Sequence, residues 1–264
     1  MKKVIFRIAI AAMAVAFMGC SPTQRHNPAT DFMVEPVAGG ASVRITRYVG
    51  ESWEVNVPPR IRGLPVTHIG SGAFRQRNLI NVTIPNSVTH IEESAFYRNQ
   101  LTSVIIPNSV TSIGVEAFAN NQLTSVTISN SITYLNHGIF MHNQLKSVII
   151  PDGVRNIGDS AFYDNQLTSV TMPSSVTHIW PFSFGRNQLT SVTIPESVTH
   201  IGIHALSNNQ LTSVIVPNSV ITIMSLRDTQ PNQWLPPHWV REYIDATPVN
   251  LQRAFGQGVT ITRR

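Results

Sequence analysis

The chain has 264 residues, room for one sizeable domain or two small ones. Only 12% are charged, against a usual quarter, and Asn, Ser, Thr and Ile stand in their place, a mixture that suits a regular β-rich stack better than a helical enzyme. The formal charge of +5 includes Lys2, Lys3 and Arg7; beyond them 16 basic side chains, nearly all Arg, meet 14 acidic ones and are scattered along the sequence, which excludes a nucleic-acid binder with its basic stripe.

In chain order the first feature is a leader, residues 1–19. MKKVIFR is a short positive segment, and Ile8 to Met18 is an unbroken apolar run of signal-peptide length, too short to span a bilayer comfortably. Gly19-Cys20-Ser21 follows, and Cys20 is the only cysteine, so no internal disulfide can form. The segment resembles a bacterial lipobox, in which Cys20 becomes the acylated first residue of the mature protein. Phe17 stands where Leu is commonest in that motif, and Met18 where a small residue is usual. An ordinary secretory signal cut after Ala14-Val15-Ala16 is the alternative. Residues 20–40, polar with Pro and Gly, have the composition of a lipidated tether.

Residues 41–226 hold a repeat. NQLTSV or a near copy recurs with its Leu at 101, 123, 145, 167, 189 and 211, every step 22 residues, with Leu79 as a degenerate first member. A Val column follows three residues later, from Val82 to Val214, and an Ile84-to-Val216 column two beyond it. Pro then stands in six of the seven coils, Ser129 being the exception. Further columns run Val88 to Val220 and Ile91 to Ile223, and Phe74, Phe96, Phe118, Phe140, Phe162 and Phe184 form an aromatic spine that Leu206 continues.

L-x-x-V-x-I is a short strand with its apolar residues inward, and Pro ends it because it has no N–H for the ladder. S-V-T-x-I is a second extended stretch. G-x-x-A-F is expected to be one helical or 3₁₀ turn, and the Asn before Gln-Leu to take a left-handed φ and bond neighbouring backbone. One coil cannot bury its apolar residues alone, so the coils must stack, which predicts a β-rich solenoid, about 35 Å long at roughly 4.8 Å per parallel strand.

Both ends need covers. Ser42–Tyr48 and Trp53–Val57 alternate about Gly50-Glu51-Ser52, which predicts a capping β-hairpin. The coil ending at Phe74 carries a five-residue expansion, since Pro58 to Pro85 is 27 residues. Residues 227–264, with Trp234, Trp239, Tyr243, Phe255 and the alternating Val259-Thr260-Ile261-Thr262, are expected to form a C-terminal cap.

Catalytic motifs are sparse. Gly158-Asp159-Ser160 has the outline of a hydrolase nucleophile motif but falls in the G-x-x-A-F slot that other coils fill with unrelated residues. No H-E-x-x-H, P-loop or G-x-G-x-x-G occurs, and Glu92-Glu93 is the one adjacent carboxylate pair. The reading is therefore not an enzyme, with no catalytic residue, cofactor or metal. His68, His90, His178 and His200 share one column that Ser112, Tyr134, Asn156 and Thr222 fill elsewhere. Stacking would set His68 beside His90 and His178 beside His200, about 5 Å apart, where paired imidazoles could bind zinc or repel when protonated; the simpler reading is a tolerant surface column.

The outward strand positions are the candidate protein-binding face: Thr83, Thr102, Ile105, Thr124, Thr127, Ile149, Thr168, Thr171, Thr190, Thr193, Thr212 and Ile215. They make a broad hydroxyl-and-methyl surface, as extended repeat faces that bind proteins do. An exposed sheet also favours β-branched residues for structural reasons alone.

The columns, above all L-T-S-V-x-I-P-x-S-V-T-x-I-G-x-x-A-F, resemble the BspA-like, or treponemal-class, leucine-rich repeat over roughly residues 55–226. Y-V-G-E-S-W-E-V-N-V-P followed by G-L-P-V-T-H-I-G-S-G-A-F is similar to that family's usual entry. Asn99 and Asn121 stand where many members carry Cys. The resemblance implies a solenoid without catalytic residues, exported as an outer-membrane or cell-surface lipoprotein, whose partners are host matrix proteins or other cells. A periplasmic or envelope scaffold that binds another envelope protein is the alternative.

Overall fold

Most 22-residue coils contribute two short strands, the coil holding Ser191–Thr193 only its second, and where like strands of successive coils pair they do so in parallel register. This is a computed structural model, and it describes residues 26–227 and 240–263. The leader, Cys20, Trp234 and Trp239 lie outside the described residues. About eight coils form the solenoid. Val104 lies opposite Val126, Val148 opposite Val170, and Ile157 opposite Ile179, so the period of the sequence is the register of the ladders.

All six apolar columns point inward. In one coil Leu101 and Val110 are 0% exposed, Ile106 and Ile113 1%, and Phe118 of the spine 0%. The spine rings stack at centroid distances of 5.0 to 5.8 Å from Phe74 to Phe184, close to the strand spacing of the sheets beside them. Tyr48 extends the stack, 5.4 Å from Phe74, and Phe32 covers both rings.

The G-x-x-A-F segment is not a helical turn. Glu116 and Asn120, on either side of Ala117-Phe118-Ala119, take φ of 52° and 56°, and Glu116, Phe118 and Asn120 donate their N–H groups to His137, Ile139 and Met141 of the next coil. A helical turn would keep those donors within the coil. Left-handed residues break it and turn the donors along the stack, so the ladder continues around the bend. The same pattern recurs in the other coils, with Gly72 and Gly138 the positions where glycine removes the steric cost of that φ.

Left-handed φ also falls one residue earlier than expected beside the Asn column. Arg98, Asn120, His142, Asp164, Arg186 and Asn208 adopt it. The asparagines that follow them are mostly buried and act as ties. Asn143 Oδ1 accepts from Leu123 N–H at 3.0 Å, while its Nδ2 donates to the carbonyls of Phe118 and Phe140 at 3.0 and 3.1 Å. Asn99, Asn121, Asn165, Asn187 and Asn209 repeat this, each joining its own coil to the preceding one.

The N-terminal cover differs from the expected hairpin. Val43–Tyr48 pairs antiparallel with Phe32–Pro36, and parallel with Leu64–Ile69. Glu54–Asn56 instead pairs parallel with Asn81–Thr83 as the first rung of the solenoid face. Alternation alone could not choose between antiparallel and parallel neighbours. The segment expected as tether is therefore structured from Ala29–Asp31, a 3₁₀ turn, onward. The five-residue expansion is a small hairpin, Arg60–Ile61 against Leu64–Pro65 about Arg62-Gly63, both with positive φ.

At the other end Thr222–Arg227 pairs antiparallel with Val240–Asp245. A helix, Pro248–Phe255, is capped by Thr247, whose hydroxyl accepts from Asn250 N–H, and it buries Leu251, Ala254 and Phe255. Thr260–Arg263 then pairs parallel with Ser213–Val216 as the last rung of the face.

Candidate binding face

The first extended stretch of each coil, a strand in all of them but the one holding Ser191–Thr193, places its side chains by two-residue alternation. Val104, Val148 and Val214 are 3–4% exposed, while their outward neighbours Ile105, Ile149 and Ile215 are 70%, 72% and 57% exposed. Thr102, Thr124, Thr127, Thr168, Thr171, Thr190, Thr193 and Thr212 are exposed in the same face, and Thr83 is half-buried. The eighteen outward positions of the six coils from Leu101 to Leu211 carry one charge, Lys146.

The face is ribbed rather than one continuous sheet. Ser103–Ile105 pairs with Ser125–Thr127, and Ser147–Ile149 with Ser169–Thr171, each as a two-stranded ribbon. Between Asn81–Thr83 and Ser103–Ile105 no ladder forms, and a groove of about 290 Å³ opens there, edged by Asn81, Asn86, Ser103, Ile105 and Pro107. Within the ribbons Thr124 and Thr168 donate their hydroxyls to the carbonyls of Thr102 and Lys146, both at 3.2 Å. Those hydroxyls are engaged in stacking.

The histidine column lies on the second strands. The rings of His68 and His90 stack at 4.5 Å and 3°, and those of His178 and His200 at 4.3 Å and 8°. Each ring is held at Nδ1 by the hydroxyl of the Thr before it, at 2.7–2.9 Å. Burial holds the His68 imidazolium pKa below 6.5, followed by the charges of His90 and Arg44, with Glu92 acting against them; burial alone lowers that of His200. Both shifts favour the neutral ring of His68 and of His200. Among the described residues no three His, Cys, Asp or Glu side chains come together as a metal site.

Ser160 of the hydrolase-like triplet has φ of 54°, as a nucleophile elbow would. The equivalent residues Ser94, Glu116, Gly138, Phe182 and His204 share that conformation, so it belongs to the coil. His142, a histidine of the adjoining coil, is bound to Asp164 at 2.7 Å across one coil step.

One cluster escaped the sequence. Arg47, Arg75 and Arg77 line a concavity of about 370 Å³ on the turn edge, with Gln76 among them. Arginines spaced 28 and 2 residues apart look scattered, but a sequence written in rows of 22 sets Arg98 directly beside Gln76.

Among the described residues no helix is long and apolar enough to cross a membrane. A family model described as BspA type leucine rich repeat region matches residues 67–185 and 112–226, with six copies. No curated protein matches the chain significantly. Among solved structures, a leucine rich cell surface protein of Faecalibacterium prausnitzii is similar, at 24% identity and a TM-score of 0.59, over 78% of this chain and 73% of that one. Leucine-rich repeat proteins of Bacteroides ovatus (19%, TM-score 0.50) and Eubacterium ventriosum (20%, TM-score 0.54) align over 74% and 73% of this chain, and over 66% and 48% of their own. These likenesses speak for the fold, and the six repeat copies across residues 67–226 settle the relationship: the chain belongs to the BspA type leucine rich repeat family.

Proposed function

We infer that the chain is an exported, lipid-anchored binding module that attaches its cell to host matrix proteins or to other cells through the strand face, and that it is not an enzyme. The observation that carries this reading is the face itself, with three isoleucines 57–72% exposed among Ser and Thr and one charge in eighteen positions. Water-exposed isoleucines in an uncharged field lose unfavourable hydration when a partner covers them. The lipobox-like Gly19-Cys20-Ser21 supports the anchor. Two or three acyl chains on one cysteine, at about 0.8 kcal/mol per buried methylene, hold a protein firmly.

Protease shaving of intact cells, with a periplasmic protein as control, tests the location. Loss of this protein while the control survives is expected. Protection of both refutes adhesion and leaves a partner within the envelope. For the face, Ile105→Glu with Ile149→Glu should weaken capture of an immobilised matrix protein at least about tenfold, since central interface residues contribute over ~1 kcal/mol each. Unchanged capture by a folded variant would exclude this face.

A further inference from the structure

The N-terminal end of the solenoid differs from the rest of the molecule in charge and in exposed apolar groups. Between residues 25 and 98 eight arginines meet six carboxylates, whereas from 99 to 264 eight basic side chains meet eight acidic ones. The formal excess of two beyond the leader therefore sits at this end. Arg44 is bound to Glu35 and Glu92, at 2.9 and 2.7 Å. Arg47, Arg75 and Arg77 make no salt bridge among the described residues and converge on the concavity of about 370 Å³. Arg98 joins them through Tyr97, whose ring lies 5.0 Å from the Arg75 guanidinium carbon and 5.3 Å from that of Arg98. Both guanidinium groups thus lie beside one ring on exposed side chains, and a guanidinium's planar fork is suited to an oxyanion.

Two further observations point to what covers this surface. Met33, the strand neighbour of Arg47, is 53% exposed, and Val49 and Trp53 are 45% and 63% exposed. Apolar and tryptophan side chains beside arginines are the composition of a membrane–water interface. The chain also enters at this corner. Asn27 donates to Asp31 at 3.1 Å, and the charges of Asp31 and Arg77 both act on the Tyr48 phenol. Cys20 is seven residues before Asn27, a reach of at most about 25 Å.

We propose that Arg47, Arg75, Arg77 and Arg98 dock on the phosphate groups of anionic lipids in the membrane that holds the acylated Cys20, so that the solenoid is seated by its N-terminal end. This rests on the lipid-anchor reading. A flexible tether alone would leave the rod to tumble, and the arginine contacts set its orientation. A sulfated polysaccharide offers similar oxyanions but does not account for exposed Met33 beside Arg47, nor for exposed Val49 and Trp53 at the same end of the chain.

The test uses the non-acylated Cys20→Ala chain and vesicles of phosphatidylglycerol in phosphatidylcholine, with phosphatidylcholine alone as control. Co-sedimentation with anionic vesicles only, abolished by high salt, is expected. Arg75→Gln with Arg98→Gln should weaken it about 25-fold, at roughly fivefold per arginine. Both side chains are exposed, so an unchanged melting temperature verifies the fold. Equal binding by variant and parent, equal binding to neutral vesicles, or binding to a sulfated polysaccharide alone overturns the proposal. Labelling the wild type with fatty acid separates the two readings. Label on Cys20 without arginine-dependent vesicle binding overturns only the seating. Absence of label overturns the anchor and, with it, the assignment of the phosphates to the protein's own membrane.

Discussion

Asn143→Ala removes one tie from the middle of the stack, and its effect follows from the bonds it makes. Leu123 N–H loses its side-chain acceptor in a buried place, which costs about 1–3 kcal/mol. The two carbonyls fare better. Phe118 O keeps its bond from Asn121 at 3.1 Å, and Phe140 O keeps that from Asn165 at 3.0 Å, so each falls from two partners to one, about 0.5–1 kcal/mol apiece. The sum is about 2–5 kcal/mol, and its midpoint lowers the melting temperature by about 7–14 °C for a domain of this size. Thermal and urea denaturation followed by circular dichroism would measure it, with Gln144→Ala as an exposed neighbour expected to move stability by under about 0.5 kcal/mol. Asn143→Asp should also destabilise, because it keeps the acceptor for Leu123 but turns an oxygen toward the two carbonyls. A loss below about 1 kcal/mol for Asn143→Ala would mean that the coils are held by their apolar columns and that the asparagine ties are incidental.

Phe118→Ala should cost about 3–5 kcal/mol in urea denaturation, since the ring is fully buried and stacks on Phe96 and Phe140 at 5.1 and 5.8 Å; a loss under about 1.5 kcal/mol would show that the spine collapses around the gap. Stability should also fall on acidification. His68 and His200 have folded pKa values below 6.5, so as pH drops through 6.5 the unfolded chain takes up protons that the folded chain refuses. The loss begins near the unfolded value and levels off once pH is below the folded ones. Urea midpoints at about pH 7.5 and about pH 5.5 should differ in the parent and differ less in His68→Gln with His200→Gln; equal sensitivity would place the acid effect elsewhere.

Much of the fold was legible because stacking imposes its period on the residues it buries. Leu101 and its equivalents, the Val and Ile columns and the Phe spine each occupy one place in every coil, and one place has one environment. Backbone direction was harder to see. Nothing in Asn-Gln-Leu says that left-handed φ falls on Arg98 and leaves Asn99 to bond inward, because both conformations suit asparagine. The strands at 43–48 and 54–56 alternate equally well as a hairpin or as rungs of separate sheets, and only the presence of Phe32–Pro36 as an antiparallel partner decides it. The arginine cluster was invisible for a third reason. It is assembled by neighbouring coils, and no single coil carries the pattern.

The outward face raises a question that stacking does not answer. Threonine and isoleucine at 105, 127, 149, 171, 193 and 215 suit an exposed strand by themselves. Serine does not, yet Ser103, Ser125, Ser147, Ser169, Ser191 and Ser213 occupy the adjoining outward column of six successive coils. A surface strand without a partner would be expected to alternate charges there for solubility and to deter edge pairing, as Lys146 alone does in this face. Small neutral hydroxyls flank the isoleucines, and under the proposed function they would let a partner approach the ribbons closely, with no ion to strip of water. Strand propensity therefore accounts for the β-branched columns but not for the serine column beside them, which is the part of the face that the proposed binding role would explain.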